Sequence, residues 1–204
     1  MSVDNQKYQK LIEAYERHCI NVVKTTQNKL GESPAEKATR IRNTEKEYIA
    51  WFEYYFPHYA KVKSAKYHKT LADAIIKNPK GRTLAEIYRG GGKSVHIDMG
   101  IPLYLYFVKK DLQFMLLFGA TDPKARKLIS DIQAELQYNN RLKNDYGSRF
   151  KKGDWSDGDF YTTDGTRFMA MSFMSDPRGL REGAMRPDYI VVDDVDAKRH
   201  VNND

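Results

Sequence analysis

The stretch "AEIYRGGGKSVHIDMG", residues 85–100, decides how the rest of the chain is read. A short apolar run, "RTLAEIY" at residues 82–88, leads into three glycines, a lysine and a serine. The next segment, "SVHIDMGIPLYLYFV", is apolar and long enough for a helix. A glycine-rich turn between a strand and a helix presents backbone N–H groups to an anion, and the helix N-terminus adds favourable dipole charge. In such a cradle Gly90, Gly91 and Gly92 line the turn. Lys93 reaches the β- and γ-phosphates of a nucleotide, and the Ser94 hydroxyl binds Mg²⁺. The match is partial, because the pattern G-x-x-x-x-G-K-S requires glycine at position 87, where this chain has Ile87.

A second motif stands near the other end. Four apolar residues, "YIVV", run into Asp193-Asp194. A buried strand of this kind carries a carboxylate to the C-terminal edge of a sheet, where Asp193 serves Mg²⁺ and Asp194 orients the attacking water. The alternative for each motif taken alone is structural: a glycine turn with an incidental lysine, and a buried strand followed by an acidic turn. Their order and their placement on strand ends favour nucleotide binding, with ATP and Mg²⁺ as the ligands.

Between and before these motifs the chain alternates. Apolar residues at helical spacing, among them Leu11, Ile12, Tyr15, Cys19 and Ile20, predict an N-terminal helix. "SPAE" predicts a second helix, with Ser33 as cap, Pro34 in the first turn and Glu36 completing a capping box. That helix is expected to run on towards the aromatic cluster "YIAWFEYYF" and to end near Pro57. "KTLADAIIK" predicts a third, stopping at Asn78-Pro79. Then come "RTLAEIY" and "LQFMLLFGA" as strands and a helix opened by Asp122-Pro123. A β-hairpin around Asp164-Gly165 and the strand "YIVV" follow. The expectation is an α/β fold in which a mostly parallel sheet is covered by helices on both faces. Residues 1–66 form a helical N-terminal region and residues 67–204 the nucleotide-binding domain.

Composition narrows the class. The net charge is +7, from 34 Lys and Arg against 27 Asp and Glu, which is compatible with a nucleic-acid partner. One cysteine, Cys19, excludes an internal disulfide and points to a reducing compartment. No stretch reaches the roughly 18 apolar residues of a membrane span, and the start "MSVDNQKYQK" carries no signal region. The expectation is a soluble, intracellular protein without a membrane partner.

Together, "YRGGGKS" and "RGLREGAMRPDYIVVDDVD" resemble the large terminase subunit of tailed bacteriophages, the motor that pumps DNA into the procapsid. In that family an arginine stands three residues before the final glycine of the phosphate loop, and Arg89 matches that place. A hairpin and an arginine–glycine stretch precede "RPD" and the acidic strand, the order of residues 160–196 here. The resemblance covers residues 67–204 and implies a P-loop NTPase-type sheet with a helical N-terminal appendage. It implies hydrolysis of ATP coupled to movement of double-stranded DNA, in the bacterial host's cytoplasm and transiently at the procapsid. The implied partners are a portal protein, the small terminase subunit and further copies of the chain in a ring.

By the same resemblance Asp193 is the Mg²⁺-associated carboxylate and Asp194 the catalytic one, where the family often has glutamate. Asp196 is a third carboxylate, read as a loop residue. Tyr67 and His68 fall where the family contacts adenine. Arg89, Arg178 and Arg181 are the candidates to stabilise the transferring phosphoryl group. The family's coupling motif, remaining strands and nuclease domain are expected after the point where this sequence stops, so the sheet is expected incomplete and nuclease activity is not expected. Two other readings stay open: a helicase-like motor, and a DNA-binding or assembly module with a degenerate nucleotide site. "RFKKGDW" with Arg141 and Lys143 reads as a solvated basic face or a DNA-tracking patch. His96 reads as a core or capping histidine.

Overall fold

The computed structural model describes residues 3–173, 175 and 186–193, with side chains from residue 9 onward. Seven helices and one five-stranded sheet are found among them. The fold is α/β.

The N-terminal third is helical, as its periodicity predicts: α1 spans Val3–Thr25 and α2 Pro34–Glu45. The Ser33 hydroxyl accepts from the Glu36 amide, and the Glu36 carboxylate accepts from the Ser33 amide, so the capping box forms as read. The expected continuation into the aromatic cluster fails at Glu47, whose extended backbone (φ −143°, ψ 132°) breaks the hydrogen-bond ladder. A separate helix, α3 (Tyr48–Tyr55), follows. The break re-aims Tyr48, Trp51, Phe52 and Tyr55 into the core, where they pack with Tyr104 and Phe107. Helix α4 spans Lys66–Ile76.

The apolar segment after the glycines forms one helical run, α5, in three pieces. Val95–Gly100 and Leu105–Lys109 have π geometry and Ile101–Tyr104 is α-helical. Wider π turns are uncommon and recur at functional sites. Strand β1 (Phe114–Gly119) is buried on both faces. Helices α6 (Asp122–Tyr138) and α7 (Asn140–Tyr146) follow, and α6 lies against β1 and β4. Beneath α6 lies a buried polar knot. His58 Nε2 is 2.6 Å from Glu135 Oε1, and Asn139 Nδ2 donates to Glu135 Oε2 at 2.7 Å.

The sheet order is β2-β3-β4-β1-β5, with β2 at Trp155–Ser156, β3 at Asp159–Tyr161, β4 at Arg167–Ser172 and β5 at Tyr189–Val192. β1 pairs in parallel with β4 and β5, whereas β2, β3 and β4 are antiparallel. The sheet is therefore mixed, which corrects the expectation of a mostly parallel one. The reason is the predicted hairpin itself. Its turn at residues 162–166 forms, and its second strand, β4, joins β1 directly, which brings the antiparallel ribbon into the main sheet.

Two further expectations change. "RTLAEIY" forms no strand: residues 82–88 are irregular and mostly exposed, with Leu84 88% accessible. A strand needs a ladder partner, and this segment faces β5 across a cavity of about 480 Å³ instead of pairing with it. Nor is the sheet covered on both faces throughout. In β5, Val191 joins the core, while Ile190 and Val192 remain 59% and 53% exposed. No helix among the described residues is long and apolar enough to cross a membrane.

Candidate functional site

The glycine loop forms a tight turn between the irregular segment and α5. Gly91 N donates to the Tyr88 carbonyl at 3.0 Å, and Gly90 and Gly92 take left-handed φ values of +83° and +75°. Only glycine enters that region without steric cost, so the composition of the loop follows from its curvature. The His96 amide then donates to the Gly92 carbonyl at 3.1 Å, which starts α5.

Two side chains of α4 hold the loop from outside. Tyr67 Oη donates to the Gly91 carbonyl at 2.9 Å, and His68 Nε2 lies 2.8 Å from the same oxygen. Because the Ala65 amide donates to His68 Nδ1 at 3.0 Å, His68 carries its proton on Nε2 and donates to Gly91. Both residues expected near the nucleotide therefore reach the loop, and the contacts they make are with its backbone.

The inner side of the loop faces the end of β5. Lys93 Nζ lies 2.5 Å from Asp193 Oδ1, and Ser94 Oγ is 3.4 Å from Asp193 Oδ2. Strand β5 is tied in by two further contacts. Tyr189 Oη donates to the Ile97 carbonyl of α5 at 2.9 Å. The Asp188 carboxylate accepts from the amides of Gln113 and Phe114 at 2.7 and 3.0 Å, ahead of and at the start of β1. The two motifs read separately in the sequence thus meet at one place. Arg89 is exposed, and no described residue forms an ion pair or hydrogen bond with it. Asp194, Asp196, Arg178 and Arg181 lie outside the described residues.

Sequence reading missed Asp98. It lines the same cavity as Lys93 and Asp193, is 2% exposed, and neither carboxylate oxygen has a hydrogen-bond partner. Burial, and next the Asp193 charge, push its carboxyl up to about 8. Lys93 and the Ser94 hydroxyl, which stands outside hydrogen-bond geometry, oppose the shift. The signal was present as spacing, since Ser94 and Asp98 are about one helical turn apart. His96 is the core histidine expected. It is 2.7 Å from Tyr48 Oη and packed on Phe52 and His68, and burial followed by the His68 charge lowers it to about 4.

Chemically, the Lys93 ammonium and the carboxyl groups of Asp98 and Asp193 line a cavity of ligand size, and the Ser94 hydroxyl stands next to Asp193. Among the described residues no group of three or more His, Cys, Asp or Glu gathers to hold a metal unaided. The oxygen donors present suit Mg²⁺, which is commonly held by one or two carboxylates together with substrate phosphates. Three basic residues of the other patch make contacts within the fold. Arg141 Nη1 donates to the Tyr54 carbonyl at 2.5 Å, Lys151 pairs with Asp154 at 2.6 Å, and Arg149 lies over the Tyr106 and Phe107 rings.

Fold and site define an α/β protein with a glycine loop seated against the carboxylate end of a strand. No protein family, curated protein or solved structure matches the chain.

Proposed function

We propose that the chain is the ATP-hydrolysing motor part of a phage-type large terminase subunit, built on a P-loop NTPase plan. The observation that carries the reading is the convergence of Lys93 and Ser94, from the glycine loop, with Asp193, from the end of β5. Nothing in the local sequence of either motif requires the two to meet, and a nucleotide site does.

The chain's own residues divide the work as follows. The loop at residues 89–94 cradles the phosphates through those of its amides that the turn leaves open, and Lys93 exchanges Asp193 for the β- and γ-phosphate oxygens when nucleotide enters. Ser94 and Asp193 would hold Mg²⁺, which when bound neutralises charge building on those oxygens. Asp194 orients the attacking water, and Arg89, Arg178 or Arg181 stabilises the transferring phosphoryl group. Tyr67 and His68 set the loop's position through Gly91 and stand beside the adenine. Double-stranded DNA is the polymer moved. A portal protein, a small terminase subunit and a homo-oligomeric ring are the working partners, in the cytoplasm of a bacterial host.

Calorimetric titration of ATP·Mg²⁺ into the chain tests the reading. Binding that is weakened, though still measurable, in EDTA and weakened at least about tenfold by Lys93→Ala is the expected result, and equal affinity with and without Lys93 overturns it.

A further inference from the structure

Asp98 is a buried carboxyl on the wall of the cavity that Lys93 and Asp193 share. Its two oxygens are buried and without hydrogen-bond partners among the described residues, within the first turns of α5. A buried carboxylate left unpaired costs several kcal/mol in principle and persists where a ligand, ion or water compensates it. Its position says which. Asp98 lines the cavity shared by Lys93 and Asp193, about one turn beyond Ser94, on the π-helical stretch of α5. The ammonium facing it is drawn to Asp193. When Lys93 turns to the phosphates, two carboxyl groups, those of Asp98 and Asp193, are left against one cavity with that charge withdrawn.

We propose that Asp98 is a second carboxylate of the divalent-cation site, facing the cation alongside Asp193. The inference rests on the nucleotide-site reading above and deepens it. A purely structural carboxylate would be matched by donors from the core, and among the described residues none stands within hydrogen-bond geometry of Asp98. A carboxylate that acts only as a neutral, protonated group would be replaced by an amide without loss.

The test uses Mn²⁺ as the probe, followed by electron paramagnetic resonance with and without a non-hydrolysable ATP analogue. Nucleotide affinity is measured separately in EDTA. Asp98→Asn is expected to weaken Mn²⁺ binding in the nucleotide complex by about tenfold to a hundredfold, the range seen when groups supporting a metal site are removed. Metal-free nucleotide affinity should fall less than about twofold, because Asp98 does not face the phosphates through a donor. Equal Mn²⁺ affinity in wild type and Asp98→Asn overturns the proposal and leaves the nucleotide site standing. An equal loss of metal-free nucleotide binding also overturns it, since Asp98 would then shape the loop rather than hold the cation. Wild type that binds neither Mn²⁺ nor nucleotide overturns the site reading itself. Should the amide prevent folding, as judged by circular dichroism, Asp98→Leu fills the same buried space without a polar group and is read by the same criteria.

Discussion

Lys93 Nζ and Asp193 Oδ1 stand 2.5 Å apart, so the glycine loop and the end of β5 are closed on each other by an ion pair. The pair joins the two charged groups a phosphate and a cation would otherwise separate. On the nucleotide reading proposed above, ligand entry would break it, the nucleotide taking over the lysine and the cation the aspartate.

Lys93→Ala should weaken ATP·Mg²⁺ binding at least about tenfold, since a hydrogen bond to a charged group contributes roughly 1.5–3 kcal/mol. Calorimetry measures it directly. The same change also leaves Asp193 without its ion pair beside Asp98, so the unliganded variant is expected to unfold at a lower temperature than wild type.

The two neighbouring carboxylates should separate by kinetics. Asp194→Asn keeps the shape and loses the base, so ATP binding should survive while turnover is lost. Asp193→Asn should first raise the Mg²⁺ concentration needed for binding. Wild-type hydrolysis by Asp194→Asn would move the catalytic role to Asp196.

The pH dependence of stability should carry the mark of His96. Its folded-state value is held near 4, below the ordinary value of 6.5, by burial and by His68. Between those values the unfolded chain binds the proton more readily than the folded one. The contribution is thus fully present above about pH 6.5 and is lost as pH falls towards 4, worth about 3 kcal/mol at most. Urea midpoints at pH 7.5, 5.5 and 4.5, compared with those of His96→Gln, measure it. A His96→Gln profile that falls as steeply as wild type would place the sensitivity elsewhere.

Gly100→Ala decides between two opposed effects. In an open helix alanine is favoured over glycine by roughly 1 kcal/mol. At Gly100, however, a Cβ would meet Phe52 Cδ2 at 2.8 Å and the Tyr48 hydroxyl. Overpacking costs about 1–3 kcal/mol and should win, because both neighbours are fixed in the aromatic core. A lower thermal midpoint is the expected result, and a raised one would mean that α5 and α3 do not approach this closely.

What could be read from the chain alone was what depends on a few neighbouring residues. Ser33 and Glu36 cap α2 because their partners lie three positions apart. Asp164-Gly165 makes a hairpin turn because its own φ angles allow it. Gly90 and Gly92 curve the loop for the same reason, while Asp122-Pro123 with apolar residues at helical spacing marks α6 and the apolar run "YIVV" marks β5.

Tertiary structure decided the rest. Whether residues 82–88 become a strand depends on a ladder partner that their own apolar pattern cannot supply. The hairpin's entry into the main sheet depends on β4 finding β1, and that pairing turned a parallel expectation into a mixed sheet. Asp98 reads in the sequence as a polar residue on a helix face. Its burial beside Lys93 and Asp193 follows from how α5 packs against β5 through Tyr189 and Ile97. Local bonding energies are set within a turn or two of chain, whereas desolvation and charge pairing are set by whatever the fold brings within a few ångströms, and the site is made of the second kind.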